Sequence, residues 1–120
     1  MADILIISHS SQIAEGTKAL VEQMAKDVTI HASGGVEGGI GTNIDQISEM
    51  LGEIGDDTIC FYDIGSSLMN LEMAVEMYDG AHSVHISNAP LVEGSFLAGV
   101  ESSVGSGIED ILEKLNDMKK

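Results

Sequence analysis

The sequence predicts an α/β fold: a doubly wound, parallel, four-stranded sheet in the order 2-1-3-4, flanked by helices. Three observations lead there. Short apolar runs alternate with helix-periodic segments along the whole chain. The runs are apolar at every position rather than every second one, as in strands buried on both faces. Right-handed crossovers between such strands then favour the doubly wound order.

Residues 3–8 (DILIIS) read as the first strand. Ile13, Thr17, Leu20, Val21 and Met24 follow at helical spacing, which predicts an amphipathic helix over residues 11–26. Val28 to His31 is a β-branched run and reads as the second strand. Residues 33–42 (SGGVEGGIGT) hold five glycines. Each would cost about 1 kcal/mol inside a helix, so the segment reads as a loop.

Ile44, Ile47, Leu51 and Ile54 mark the second helix. Thr42 with Asp45 has capping-box spacing, and Asn43 is an equally good cap. Thr58 to Tyr62 is the third strand, and residues 63–67 (DIGSS) form a turn rich in capping residues. Leu71, Ala74, Val75 and Tyr78 share one side of the third helix, and residues 83–86 (SVHI) are the fourth strand. The only proline, Pro90, breaks the chain before a helical pattern in which Phe96, Leu97, Val100 and Val104 form the stripe. After Gly105-Ser106-Gly107, a Ser106–Glu109 capping box predicts a last helix. Its stripe is Ile108, Ile111, Leu112, Leu115 and Met118, and Lys119 and Lys120 suit its C-terminus.

The length, with no linker or repeat, predicts one domain over residues 1–120. No apolar run approaches the length of a membrane span, and the N-terminus lacks the basic region of a secretory signal. Cys60 is the only cysteine and lies in an apolar run, which reads as a buried, inert thiol. A cytoplasmic location is expected. Twenty acids face five lysines and no arginine, for a net charge of −15. Such a surface repels nucleic acid and anionic membrane, because both are bound first through cations. It suits a basic protein partner, or serves solubility alone. The seven methionines fall mostly at core-like helical spacing and read as packing.

In a doubly wound sheet, ligands bind beyond the carboxyl ends of the strands at the switch point, here between strands 1 and 3. The residues emerging there are His9 and Asp63. His9 is the candidate for chemistry, as base, metal ligand or phosphoryl acceptor beside a helix N-terminus. His31, His82 and His85 are poorly placed to complete a zinc site and read as structural or surface residues, so no metal is expected. Asp63 is expected to orient His9 by accepting from one ring nitrogen; the competing reading is a turn cap for the third helix.

A receiver domain is excluded by the missing acidic pair after strand 1 and by the absence of lysine between Lys26 and Lys114. A P-loop fails because Ile40 stands where its lysine belongs. Flavin binding lacks an available ring, since there is no tryptophan and Tyr62 and Tyr78 are ill placed. The glycine loop is either a long connection or a pliable segment that brings Gly41 and Thr42 to a phosphoryl group on His9.

Four segments together resemble one family: 7–10 (ISHS), 38–43 (GGIGTN), 63–66 (DIGS) and 89–94 (APLVEG). It is the phosphotransferase subunit of the bacterial phosphoenolpyruvate-dependent dihydroxyacetone kinase, whose fold is similar to the IIA domain of mannose-type phosphotransferase systems. The resemblance covers essentially the whole chain and implies a phosphotransferase acting through a phosphohistidine. His9 would accept the phosphoryl group from the phosphocarrier HPr, on Nε2. It would pass the group to ADP held on the ADP-binding subunit of the kinase. Ser10, Gly41, Thr42 and Ser66 are the expected phosphate-binding residues, and the chain itself needs no cofactor. Members of the family are homodimers, and some carry further domains, so a chain ending at Lys120 resembles the single-domain form. Mannose-type relatives extend the sheet with a swapped C-terminal strand, whereas this C-terminal segment reads as helix. The alternatives are a mannose-type IIA component that feeds a IIB partner, and a non-catalytic binding module that retained the fold.

Overall fold

The structure is a computed structural model that describes Met1–Met118. The elements run β1 (Asp3–Ser8), α1 (Ser11–Met24), β2 (Ile30–Gly34), α2 (Ile44–Leu51), β3 (Thr58–Tyr62), α3 (Gly65–Met77), β4 (Val84–Ile86), α4 (Leu91–Ser103) and α5 (Ile108–Asn116). All strand pairs are parallel, in the order β2-β1-β3-β4. The predicted architecture and order are those found.

Burial follows from that order. Every residue of β1 and β3, the central strands, is buried. Their alternate side chains feed two cores. Ile4, Ile6, Ile59 and Phe61 join residues of α1, α4 and α5 on one face. Leu5, Ile7, Cys60 and Tyr62 join α2 and α3 on the other. The edge strands β2 and β4 are mostly half-buried. Burial pushes the Cys60 thiol pKa far up, as befits an inert packing residue. Among the described residues no helix is long and apolar enough to cross a membrane.

Several local expectations are corrected. β2 begins at Ile30 and runs on to Gly34, taking the first residues of the glycine segment, because Ser33 and Gly34 pair with Ile7 and Ser8. A side chain at Gly34 would meet backbone: its Cβ would lie 2.5 Å from the Ser10 carbonyl oxygen. Beyond it, Val36 and Gly39 pair in a tight hairpin, with Glu37 and Gly38 both at positive φ. The glycine segment is therefore built, not slack. In α1 the buried stripe is Ala14, Thr17 and Val21, while Ile13, Leu20 and Met24 are exposed. In α4 the buried face is small: Gly94, Ser95, Ala98, Gly99 and Ser102, with Leu91. A Cβ at Gly94 would lie 2.8 Å from that of Ala89 and 3.1 Å from the Phe61 ring. The helix rides close to the sheet, so of the predicted stripe Phe96 and Leu97 pack against the edge of the core only partly buried, and Val104 is exposed.

Asn43, not Thr42, caps α2, accepting from the Asp45 and Gln46 N–H groups. The predicted capping box of α5 does not form, since Ser106 Oγ donates to Glu101 and Gly107 holds the cap position. Met1, Met24, Met69, Met73 and Met77 are exposed, so most methionines are not core packing. Lys119 and Lys120 lie outside the described residues.

Candidate active site

His9 leaves the carboxyl end of β1 one residue after the buried Ser8. Asp63 leaves the end of β3, the neighbouring strand, so parallel pairing alone sets the two side by side. The Asp63 carboxylate then gathers donors. Its Oδ1 lies 3.0 Å from His9 Nδ1 and accepts from the Ile64 N–H at 2.8 Å and from Ser67 Oγ at 2.8 Å. Its Oδ2 accepts from Ser8 Oγ at 2.8 Å and from the His9 N–H at 2.9 Å. Burial alone would raise the Asp63 pKa. The hydrogen bonds from the His9 N–H, Ser8, Ser67 and the Ile64 N–H outweigh it and hold the carboxyl well below its usual range. The group is a fixed anion.

That anion decides the tautomer of His9. A carboxylate only accepts, so Nδ1 carries the proton and Nε2 carries the lone pair. The lone pair meets Ser66 Oγ, which donates to it from the first turn of α3. His9 and Asp63 side chains are each 16% exposed, so the ring is braced yet reachable from outside. Both readings of Asp63 have a contact behind them: its Oδ1 lies beside His9 Nδ1 and also accepts from the Ile64 N–H and Ser67 in the turn into α3.

The other expected residues fall as follows. Ser10 is the N-cap of α1; its Oγ accepts from the Ile13 N–H at 3.3 Å and its own N–H donates to Ser8 Oγ. Gly41 reaches the site at φ +145°, but its N–H donates to the His9 carbonyl at 2.7 Å. That donor anchors the loop to the end of β1 and does not point outward. Thr42 Oγ1 accepts from Asn70 Nδ2 at 2.6 Å, a bond that joins the glycine loop to α3. Ser8, Ser67 and Asn70 were not singled out from sequence. The serines flanking His9 and following Asp63 were the available signal, since short hydroxyl side chains at strand ends bond locally.

The remaining histidines stand apart from this centre. His31 is in β2, with Nε2 3.3 Å from Asp3 Oδ2. His82 lies near Asp57, before β4, and His85 within β4 bonds Ser83. Asp56, Asp57 and His82 cluster beside the N-terminus of β3, at the far end of the sheet from His9.

The sheet that carries this histidine has counterparts among known proteins. Residues 3–112 match the EIIA-man family model, described as the PTS system fructose IIA component. The chain belongs to this family. It is 39% identical over 117 residues to the phosphotransferase subunit DhaM of the PTS-dependent dihydroxyacetone kinase of Lactococcus lactis, covering 96% of this chain and 94% of that one. It is 36% identical over 125 residues to the phosphoryl donor subunit DhaM of PEP-dependent dihydroxyacetone kinase 2 of Listeria innocua, covering 98% and 99%. Among solved structures it is similar to the protein of unknown function EF1359, with a TM-score of 0.87, 34% identity, and coverage of 99% and 95%. Those alignments span the β1–α1 and β3–α3 turns, so the family match covers the segments that place His9 and Asp63.

Proposed function

We propose that this chain is the phosphoryl donor subunit of a phosphoenolpyruvate-dependent dihydroxyacetone kinase, carrying the group on Nε2 of His9. One observation carries the reading. In a chain related nearly end to end to such subunits, His9 is held through Nδ1 by Asp63, and its Nε2 meets the hydroxyl of the exposed Ser66.

The chemistry follows from this arrangement. The donor is the phosphohistidine of the phosphocarrier HPr. Nε2 attacks its phosphorus, the Nε2–P bond forms as the donor's N–P bond breaks, and the donor nitrogen keeps the electron pair. Nδ1–H stays on Asp63, whose negative charge stabilises the ring as it gains cationic character. Ser66 must first turn its hydroxyl off the lone pair, after which it is placed to donate to a phosphoryl oxygen. Ser66 lies in the first turn of α3, whose N–H groups would add to the donors there. The second transfer reverses these roles: an oxygen of ADP on the kinase subunit attacks phosphorus, and Nε2 recovers its pair. With no arginine in the sequence, cationic stabilisation of the moving group comes from the partners. The chain is thus a carrier within a multi-protein kinase, working in the cytoplasm where those partners are.

A homodimer is part of this proposal. The surface offered to it is an apolar groove of about 390 Å³ lined by Leu20, Val92, Phe96, Leu97, Val100 and Met118, on the face of the sheet opposite α3.

The test is incubation with phosphoenolpyruvate, enzyme I and HPr. The expected result is a gain of one phosphoryl mass on His9, labile to acid and absent in His9→Ala. Adding ADP-loaded kinase subunit should discharge the group to ATP. Discharge only to a IIB protein would select the mannose-type reading, and no labelling at all would leave a binding module.

A further inference from the structure

Ser67 has one hydroxyl proton and two acceptors within reach of it. Its Oγ lies 2.8 Å from Asp63 Oδ1 and 2.6 Å from the Ile64 carbonyl oxygen. A hydroxyl donates once, so the proton serves one acceptor at a time. The side chain is fully buried, and either choice leaves its hydroxyl bonded. The Ile64 carbonyl also accepts from the Ser67 N–H at 3.1 Å, which holds the residue in place whichever way the hydroxyl turns. Ser8, at the other carboxylate oxygen, is fixed at both ends. Its Oγ donates to Asp63 Oδ2 at 2.8 Å and accepts from the Ser10 N–H at 3.1 Å.

The oxygen that Ser67 reaches is the one that faces His9 Nδ1, at 3.0 Å. The charge of that ring changes at each transfer. Nε2 gives its lone pair to the new N–P bond, the donor nitrogen keeps the pair of the broken one, and the proton stays on Nδ1. The loaded ring is then a cation and draws harder on Oδ1. Donors to one carboxylate oxygen share its charge, so the Ser67 bond to Asp63 is strongest while the ring is neutral.

We propose that Ser67 is a positioning residue for phosphoryl transfer, whose hydroxyl turns from Asp63 to the Ile64 carbonyl when His9 carries the group and returns when the group leaves. The proposal rests on the carrier reading above and adds to it what sets the grip on the group. By steadying Asp63 while the ring is neutral, Ser67 stabilises the empty carrier relative to the loaded one. The phosphoryl group is held less tightly and leaves more readily. A carrier standing between two proteins requires this, since too firm a hold would leave it loaded and idle.

Ser67→Ala removes the donor that the empty carrier uses and changes the loaded carrier little. The experiment mixes the full chain with HPr and a limiting amount of phosphoryl group, and measures the share on each protein at equilibrium by mass at neutral pH. The expected result is a shift of about three- to tenfold toward the phosphorylated chain. Delivery to the ADP-loaded kinase subunit should slow by a similar factor while labelling by HPr is not slowed. In the unphosphorylated variant the His9 Nδ1 proton should move downfield, as its bond to Asp63 strengthens. A merely structural role would slow both transfers and weaken that bond. Ser67→Cys, whose thiol is a weaker donor, should shift the equilibrium less and in the same direction, and it carries the test alone where the alanine variant does not fold.

A partition within twofold of wild type in the folded variants would overturn the proposal, and so would a shift toward HPr. An Nδ1 proton that stays at its wild-type position would overturn it too. Failure of HPr to label wild-type His9 would instead bring down the carrier reading, and the role of Ser67 with it.

Discussion

Replacing Asp63 by asparagine keeps the shape of the side chain and changes one acceptor into a donor. The carboxylate takes hydrogen bonds from His9 Nδ1–H, the Ile64 N–H and Ser67 at Oδ1, and from Ser8 and the His9 N–H at Oδ2. The amide oxygen will settle at the Oδ1 position, which has more donors. Its NH₂ then faces the His9 N–H, which cannot turn away, and Ser8, which can. One unpaired, half-buried N–H costs about 1–3 kcal/mol, and loss of charge assistance at the remaining bonds adds to it. The stability loss should be about 2–4 kcal/mol in urea titration near neutral pH. The bond that orients the ring falls from charge-assisted to neutral. If the full 1.5–3 kcal/mol of such a bond is lost at the transition state, labelling by HPr slows about 10- to 150-fold. The assay is the initial rate of phosphohistidine formation, with ¹⁵N spectra of His9 reporting which ring nitrogen holds the proton. A labelling rate within threefold of wild type, with Nδ1 still protonated, would refute the role given to Asp63.

Three further outcomes are expected. Ser66→Ala should shorten the lifetime of phosphorylated His9 about 10-fold or more, the worth of one hydrogen bond to a charged phosphoryl oxygen; the decay of the phosphorylated mass at neutral pH checks it. Because the folded state lowers the Asp63 pKa, the stability it contributes is complete above the ordinary aspartate value of about 3.9 and is lost as the pH falls toward the lower folded value. The gap in stability between wild type and Asp63→Asn should therefore shrink below about pH 4, measured by urea titrations from pH 6 to pH 3. Gly34→Ala should cost about 1–3 kcal/mol, because its Cβ would press on Ser10 and Ser8 backbone atoms at 2.5–2.8 Å; it should also slow labelling by shifting the turn that carries His9.

How far the site could be read depended on the range of the interactions that build it. His9 and Asp63 were legible because strand-ending positions in neighbouring parallel strands must be near each other once the order is known. The donors to Asp63 were less so. Ser8 and Ser67 look like any serine in a turn, and their hydroxyls are assigned only when the carboxylate arrives from another strand. The same holds for Gly41, whose N–H turned inward to His9, and for Asn70, which reaches across to Thr42. Helix faces were read only in part: α1 buries Thr17 and Val21 of the expected stripe but leaves Ile13, Leu20 and Met24 exposed, and α4 packs closely through glycine, alanine and serine with Phe96 and Leu97 at the edge.

The sequence by itself determined the order of elements, the parallel sheet and the two residues at its switch point. Period, apolar runs and strand-end position are local or topological, and a single chain carries them in full. Only the tertiary structure decided which nitrogen of His9 carries the lone pair and which hydroxyls hold Asp63 as an anion. Those are matters of contacts between residues as many as 57 positions apart, such as His9 with Ser66, and they exist only after the strands have paired.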